Sequence, residues 1–326
     1  MKAIWYERNG PARDVLVLGE MPKPEPATGE VLVRLHASGV NPSDWKTRSG
    51  SRPMVAPRVI PHSDGAGVIE AVGAGVDASR IGERVWIWNG AWKRPFGTAA
   101  EYIALPSPQA VTLPEAVSFE AGACFGIPAL TALRAVSCDG GVAGKSVLVA
   151  GGAGSVGHYA IQFAKRLGAS QVIATVSSGA KAEHARAAGA DAAIDYRQED
   201  VAARVKELTG GRGVDRVVEV DLSANIELLP KLLATDGICV AYGSTEREVD
   251  VDFGAMLLLG GAIRFFIVYE LSAAARAECE VLLARFLGDG TLIHKVALTM
   301  PLEECAAAHD LVQSGQVMGN VVLSIG

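Results

Sequence analysis

The sequence predicts an α/β protein with a barrel-like β part first and a doubly wound parallel sheet after it. Three observations carry this. Residues 1–120 fall into short apolar runs punctuated by proline and glycine. From residue 146 to 242 strand-like and helix-like runs alternate. At the head of that alternation stands KSVLVAGGAGSVG, residues 145–157. Several short strands in succession indicate a barrel or sandwich, and strand–helix alternation demands a parallel sheet covered on both faces.

In order, strands are expected at 3–6 and 15–18, and then a stiff connector at Pro22, Pro24 and Pro26. Residues 30–37 alternate as a strand, and 65–72, 84–88 and 99–104 continue the pattern. At Ser118 the grammar changes: 119–135 is helical in composition, with a break expected near Pro128. Strands at 146–150, 172–176, 192–194, 216–220 and 238–242 then alternate with helices that begin at 155, 180, 201 and 226. One more strand is expected at 265–268, then helices 273–287 and 302–314 and a last strand 321–325.

The 326 residues suggest about two domains. An apolar fraction of 49% and a charged fraction of 20% are those of a globular chain. A formal net charge of -6 argues against a partner built on a phosphate backbone. The five cysteines, Cys124, Cys138, Cys239, Cys279 and Cys305, form no C-x-x-C pair and read as buried thiols of a reducing compartment. The first residues alternate rather than form a signal-like apolar core, and the apolar run 257–267 is short and interrupted by Arg264. The expectation is a cytoplasmic protein.

Gly152-Ala153-Gly154-Ser155-Val156-Gly157 spells G-x-G-x-x-G between a strand and a helix. Bare backbone at Gly152 and Gly154 allows close approach of a pyrophosphate. Gly157 lets the helix pack on the strand, and the helix start supplies N–H groups and positive dipole. Where an NAD site ends its second strand in Asp or Glu, this chain has Ser177, Ser178 and Lys181. A carboxylate would repel a 2′-phosphate; hydroxyls and a lysine would bind one, so NADPH is the expected cofactor. The serines could equally cap the next helix, and both can hold at once.

Further segments carry a resemblance: Asn41-Pro42-Ser43-Asp44-Trp45-Lys46-Thr47-Arg48-Ser49-Gly50, Asp64-Gly65-Ala66-Gly67-Val68, Gly73-Ala74-Gly75-Val76, Gly82-Glu83-Arg84-Val85, Gly126-Ile127-Pro128-Ala129-Leu130-Thr131-Ala132, Ala193-Ile194-Asp195-Tyr196-Arg197 and Tyr242-Gly243-Ser244. In this order they resemble the quinone oxidoreductases related to zeta-crystallin, in the medium-chain dehydrogenase/reductase superfamily. The resemblance runs nearly end to end. It implies a GroES-like catalytic domain, 1–122 with 265–326, and an inserted Rossmann NADPH-binding domain, 123–264. A cleft between them would hold cofactor and acceptor. It implies Asn41 and Thr131 beside the nicotinamide, with Tyr196, Asn225, Tyr242, Gly243 and Ser244, and further Phe266, Val268 and Asn320, along the cofactor. It also implies a homodimer or tetramer, with 265–268 as a pairing strand.

Zinc-dependent relatives of that superfamily need Cys, His and Glu where this chain has Asn41, Ser63-Asp64 and Ile127, and Ala91 to Ala100 runs through without a cysteine. Asn, Ser and Ile do not make a zinc site, which takes Cys, His or carboxylate, so no metal is expected. Without a Lewis acid, an already electron-poor acceptor is the easier hydride target: a quinone, or the α,β-unsaturated carbonyl of an enoyl or alkenal reductase. The family's aromatic in the first motif is Lys46 here, which either donates to the acceptor carbonyl or is a solvated lysine. His62 stands where relatives carry a small residue and reads as a hydrogen-bonded structural histidine. Asp44 and Arg48 read as an ion pair or as loop anchors. A crystallin-like or single-stranded nucleic-acid role remains the reading from another class, disfavoured by the net charge.

Overall fold

The structure, a computed structural model, describes all 326 residues. The chain packs as two compact units, 1–127 with 287–326, and 128–286.

In the first unit, Pro11 ends the N-terminal loop and starts a single helical turn, α1 (Ala12–Val15). It separates β1 (Lys2–Trp5) from β2 (Val17–Glu20), which pair antiparallel. The strand expected at 15–18 is therefore displaced, because Trp5 opposite Val17 sets its register. The strands β3 (Glu30–Val40), β4 (Asp64–Val72), β5 (Arg84–Ile87), β6 (Tyr102–Pro106) and β7 (Ala110–Thr112) come next, with α2 (Pro42–Lys46) after β3 and α3 (Phe119–Gly122) at the end. The strand expected at 99–104 begins later, because β6 pairs with β3 from Glu30 opposite Pro106 to Arg34 opposite Tyr102. Alternate residues of these strands, Val31, Val33, Leu35, Ile69, Val85, Ile87, Ile103 and Leu105, form one buried cluster.

The second unit opens on α4 (Leu130–Ser137), which comes after a π-turn containing Pro128, so the expected helix is broken where proline removes a donor. Then come β8 (Ser146–Val149), α5 (Ser155–Arg166), β9 (Gln171–Val176), α6 (Gly179–Ala187), β10 (Ala192–Asp195), α7 (Val201–Leu208) and β11 (Val214–Glu219). After two short helices, α8 (Leu222–Asn225) and α9 (Leu229–Leu232), come β12 (Leu233–Ala241), α10 (Phe253–Leu259), β13 (Ala262–Phe265) and α11 (Ala273–Gly288). The six strands run parallel in the order β10-β9-β8-β11-β12-β13. The order reverses beside β8, which is where an open parallel sheet leaves a crevice for a ligand.

Two expectations fail here for local reasons. The helix expected at 226–233 is helical only over Leu229–Leu232, because Pro230 fits the first positions of a helix and not its interior. The strand expected at 265–268 lies at Ala262–Phe265, and Val268–Glu270 is a 3₁₀ turn. Gly260 in the left-handed region stops α10, and pairing of Ile238 through Ala241 with Ala262 through Phe265 fixes where β13 lies.

The C-terminal segment returns to the first unit. There β14 (Val296–Pro301) pairs parallel with β15 (Asn320–Ser324), β15 pairs antiparallel with β3, and α12 (Cys305–Gln313) lies between them in sequence. No helix is long and apolar enough to cross a membrane.

Arg216 shows how the second unit holds α4 in place. It is 0% exposed on β11, and its guanidinium donates to the carbonyls of Ala135 (2.8 Å) and Cys138 (3.0 Å) at the end of α4. Helix-end carbonyls lack partners of their own. Arg216→Met keeps the volume and removes the donors, and it should lower stability by about 2–3 kcal/mol in denaturant melts. A loss under about 0.5 kcal/mol would show that those carbonyls find other partners.

Candidate functional site

The glycine turn between β8 and α5 is a cradle of bare backbone. Gly151, one residue before the motif, takes the left-handed conformation (φ 66°) that makes the turn tight. A Cβ on Gly152 would lie 2.6 Å from the Cβ of Ala174, and one on Gly157 only 2.3 Å from the Gly151 carbonyl oxygen. Gly157 is thus the residue that lets the first turn of α5 press against β8. Gly154 caps that helix in extended conformation, Ser155 and Val156 open it, and buried Ala153 fills the bend. The left-handed residue of the turn is thus Gly151, outside the motif, and Gly152 serves by having no side chain. N–H groups at the start of a twelve-residue helix suit a pyrophosphate.

Along the carboxyl ends of the neighbouring strands stand Ser177, Ser178 and Lys181, after β9. Ser178 Oγ accepts from the Lys181 backbone N–H (3.4 Å), so this hydroxyl does cap α6. Tyr196 comes after β10, is 52% exposed, and donates its N–H to the Val176 carbonyl, beside Ser177. Gly243 comes after β12 and packs on β11: a Cβ there would sit 2.2 Å from the Val220 oxygen. Tyr242 and Phe266 face each other with ring centroids 6.3 Å apart.

Four expected residues make hydrogen bonds within their own unit. Asn225 closes α8 instead of opening a helix, and its amide donates to Glu219 Oε1 (3.0 Å). Ser244 Oγ donates to the Glu246 carbonyl. Val268 is buried, and its carbonyl accepts from Arg276. Asn320 begins β15, and both its backbone and side-chain N–H groups donate to the Lys295 carbonyl. By contrast Thr131, at the second position of α4, is 3% exposed and its Oγ has no partner. A buried hydroxyl without a partner is unusual and suits a ligand's polar group.

In the first unit the structure ties together Asn41, Asp64 and Ile127. Asp64 opens β4, and its Oδ2 accepts from Asn41 Nδ2 (2.9 Å) and from the Ile127 N–H (3.0 Å). Its Oδ1 has no partner. Burial, then the charge of Asp44, raise the Asp64 carboxyl well above its ordinary value. A neutral acid carries its proton on Oδ1, since Oδ2 already accepts two bonds. Asp44 is a second buried acid: its Oδ2 accepts from the Asn41 N–H (2.7 Å), and burial pushes it up to about 7. It does not pair with Arg48, whose guanidinium donates to the Gly10 carbonyl and to Gln313 Oε1. Both are loop anchors. Lys46 ends α2 with Nζ 5.9 Å from the Trp45 ring centroid, so the lysine rests near the aromatic that precedes it.

A parallel sheet with a pyrophosphate cradle and a GroES-like sheet define an oxidoreductase of the nicotinamide-dependent kind, and known proteins bear this out. Residues 27–115 match the alcohol dehydrogenase GroES-like domain and residues 155–287 the zinc-binding dehydrogenase family. The quinone oxidoreductase of Rattus norvegicus is 30% identical over 99% of this chain and 97% of its own. A 2-haloacrylate reductase from a Burkholderia species is 31% identical over 99% and 98%. The Escherichia coli quinone oxidoreductase complexed with NADPH superposes with a TM-score of 0.89 at 28% identity over all of both chains. An NAD-dependent alcohol dehydrogenase superposes at 0.92, with 32% identity over all of both. The chain belongs to the medium-chain dehydrogenase/reductase superfamily, with quinone oxidoreductases among its full-length relatives.

The buried acids generate a pH dependence. Asp44 titrates near 3.9 when unfolded and about 7 when folded. The stability it contributes is therefore full below pH 4 and lost as pH rises to 7. Asp44→Asn keeps the acceptor for Asn41. Its melting temperature, relative to the parent, should move in the variant's favour from pH 4 to 7 and level off above about 8. A pH-independent difference would show Asp44 already ionised in the fold.

Proposed function

We propose that this protein is an NADPH-dependent reductase that adds hydride to a quinone or a similar conjugated carbonyl compound without a catalytic zinc. The observation that carries the reading is the Asn41–Asp64–Ile127 knot. The positions where zinc-dependent members place ligands hold an amide, a buried carboxyl already accepting two hydrogen bonds, and a backbone N–H. That donor set is poor for zinc, which takes thiolate, imidazole or free carboxylate. Without a Lewis acid there, the acceptor must delocalise the negative charge itself, as quinones and α,β-unsaturated carbonyls do.

The residues of the second unit fit the cofactor. The cradle from Gly152 to Gly157 takes the pyrophosphate, and Ser177 and Lys181, with Tyr196 nearby, take the 2′-phosphate and adenosine. No acidic residue replaces Ser177 or Ser178 to repel that phosphate. Thr131 Oγ offers the unspent buried hydroxyl for the nicotinamide end. When bound, the dihydronicotinamide supplies the hydride. Asn41 positions the ring, and Lys46 donates to the acceptor oxygen as charge develops on it. Tyr242, Gly243, Ser244, Phe266 and Val268 wall the cofactor groove, while Asn225 and Asn320 hold loops.

Two further features support the rest of the reading. β13 is a sheet edge, with Phe265 66%, Phe253 74% and Leu258 88% exposed around it. Such an apolar edge suits pairing with a second copy as a homodimer. The five cysteines are free and buried, which suits the cytoplasm. The relative named as a 2-haloacrylate reductase favours an enone or enoate acceptor as the alternative.

Initial rates with quinones, enones, enoyl thioesters and simple alcohols, each with NADPH and NADH, test this. NADPH should exceed NADH at least tenfold in kcat/KM, with a quinone or enone the best acceptor. Equal use of NADH, or oxidation of a simple alcohol at a comparable kcat/KM, would overturn it. Lys46→Met should lower kcat/KM for the acceptor well beyond threefold with NADPH affinity unchanged; a smaller effect makes Lys46 a solvated lysine.

A further inference from the structure

His62, solitary in the sequence, is one of three metal-capable side chains that meet inside the first unit. Cys305 and His309 stand four residues apart on α12, so both project from one face of the helix. His62 comes from the turn before β4. His62 Nε2 lies 2.8 Å from His309 Nε2 and 3.9 Å from Cys305 Sγ, and the three donor atoms fall within 4.8 Å of one another. All three residues are almost fully buried, at 1%, 0% and 0% exposed.

The hydrogen bonds behind His62 fix its tautomer. Thr98 Oγ donates to the Asp64 carbonyl (2.6 Å), so its oxygen is left to accept the Ser38 hydroxyl proton (2.8 Å). Ser38 Oγ, its proton spent, accepts from His62 Nδ1–H (2.9 Å). The proton is therefore on Nδ1, and Nε2 presents a lone pair to His309 and Cys305. A histidine whose far nitrogen is held by such a relay is arranged as metal-binding histidines are. The backbone of His62 is also strained, at φ 75°, a conformation a non-glycine residue keeps only where its surroundings enforce it.

We infer that His62, Cys305 and His309 form a binding site for a thiophilic closed-shell metal ion, copper(I) or zinc(II), separate from the Asn41–Asp64–Ile127 knot. The donor set, one sulfur and two imidazoles, is borderline-soft. Tetrahedral bonds of about 2.0–2.1 Å to nitrogen and 2.3 Å to sulfur would separate the nitrogens by roughly 3.3 Å and nitrogen from sulfur by roughly 3.6 Å. The two spacings at His62 need adjustments of roughly half an ångström or less, and His309 and Cys305, whose donor atoms lie within 4.8 Å, close by up to roughly 1.2 Å. Binding displaces the Cys305 thiol proton to solvent, and the metal–sulfur bond takes its place; His309, whose Nε2–H donates to His62 in the empty site, takes its proton on Nδ1 instead, so that both Nε2 lone pairs face the metal. With copper(I) the thiolate brings the pair to zero charge, which suits a dry site; with zinc(II) one positive charge remains. The guanidinium of Arg48, close enough to influence both Cys305 and His309, favours the lower charge.

The experiment uses the full-length protein, stripped with chelator and then incubated to equilibrium under reducing conditions. One sample receives copper(I), a second zinc(II) and a third cobalt(II). Bound metal is measured after desalting, and the cobalt sample is scanned for sulfur-to-cobalt charge transfer in the near ultraviolet. We expect about one equivalent of copper or zinc per chain and a thiolate–cobalt band in the parent protein. Cys305→Ser and His309→Gln should each weaken binding at least tenfold, with near-ultraviolet circular dichroism showing a retained fold. Cys279→Ser, at another buried thiol, should bind as the parent does. Retention of copper alone or zinc alone supports the site and identifies its ion. Retention of neither, no cobalt band, or equal loss in Cys279→Ser would overturn it; the parent's cobalt spectrum decides even if a variant fails to fold.

Discussion

The missing side chain of Gly157 is the constraint on which the second unit depends. A Cβ there would sit 2.3 Å from the Gly151 oxygen and 2.8 Å from the Gly152 Cα, so neither side could yield without moving backbone. Because it is absent, α5 starts against the end of β8, and its free N–H groups and positive dipole end at the crevice where strand order reverses. The same contact leaves the turn free of side chains, and the ends of β9, β10 and β12 bring Ser177, Tyr196 and Gly243 to that edge of the sheet. Packing and anion binding are met by one deletion of a methyl group.

The first unit is organised by buried polar groups instead. Burial raises the Asp64 carboxyl well above its ordinary value, and it binds Asn41 and the Ile127 backbone through a single oxygen. On its backbone side, the Asp64 carbonyl anchors Thr98, and through Ser38 that anchor reaches His62. One residue thus connects the knot at the expected reaction site with the His62–Cys305–His309 cluster. A partly satisfied buried network of this kind is expensive and tends to persist where it serves a site.

Much of the fold was legible because its signals are local. Strand–helix alternation, the glycine turn, Pro128 breaking a helix, and the start of α5 at Ser155 are all dictated by neighbours in sequence. Misplacements occurred where a distant partner sets register or a proline splits a pattern. Trp5 sets β2, Ile238 sets β13, and Pro230 divides α8 from α9. Of the two expectations for Ser178, the structure shows the helix cap. The C-x-x-x-H spacing of Cys305 and His309 was visible, but nothing near them in sequence announced His62.

The sequence by itself determined the class of fold and the glycine turn between β8 and α5, since each rests on local runs and spacings of residue types. Only the tertiary structure decided what those residues touch. Asn41, Asp64 and Ile127 become one hydrogen-bonded unit, Thr131 keeps a buried hydroxyl unspent, and His62 meets Cys305 and His309 from a helix 243 and 247 residues away. Such meetings depend on strand register and on which face of a helix is buried. Those are set by packing across the whole unit, and no local pattern of residues encodes them.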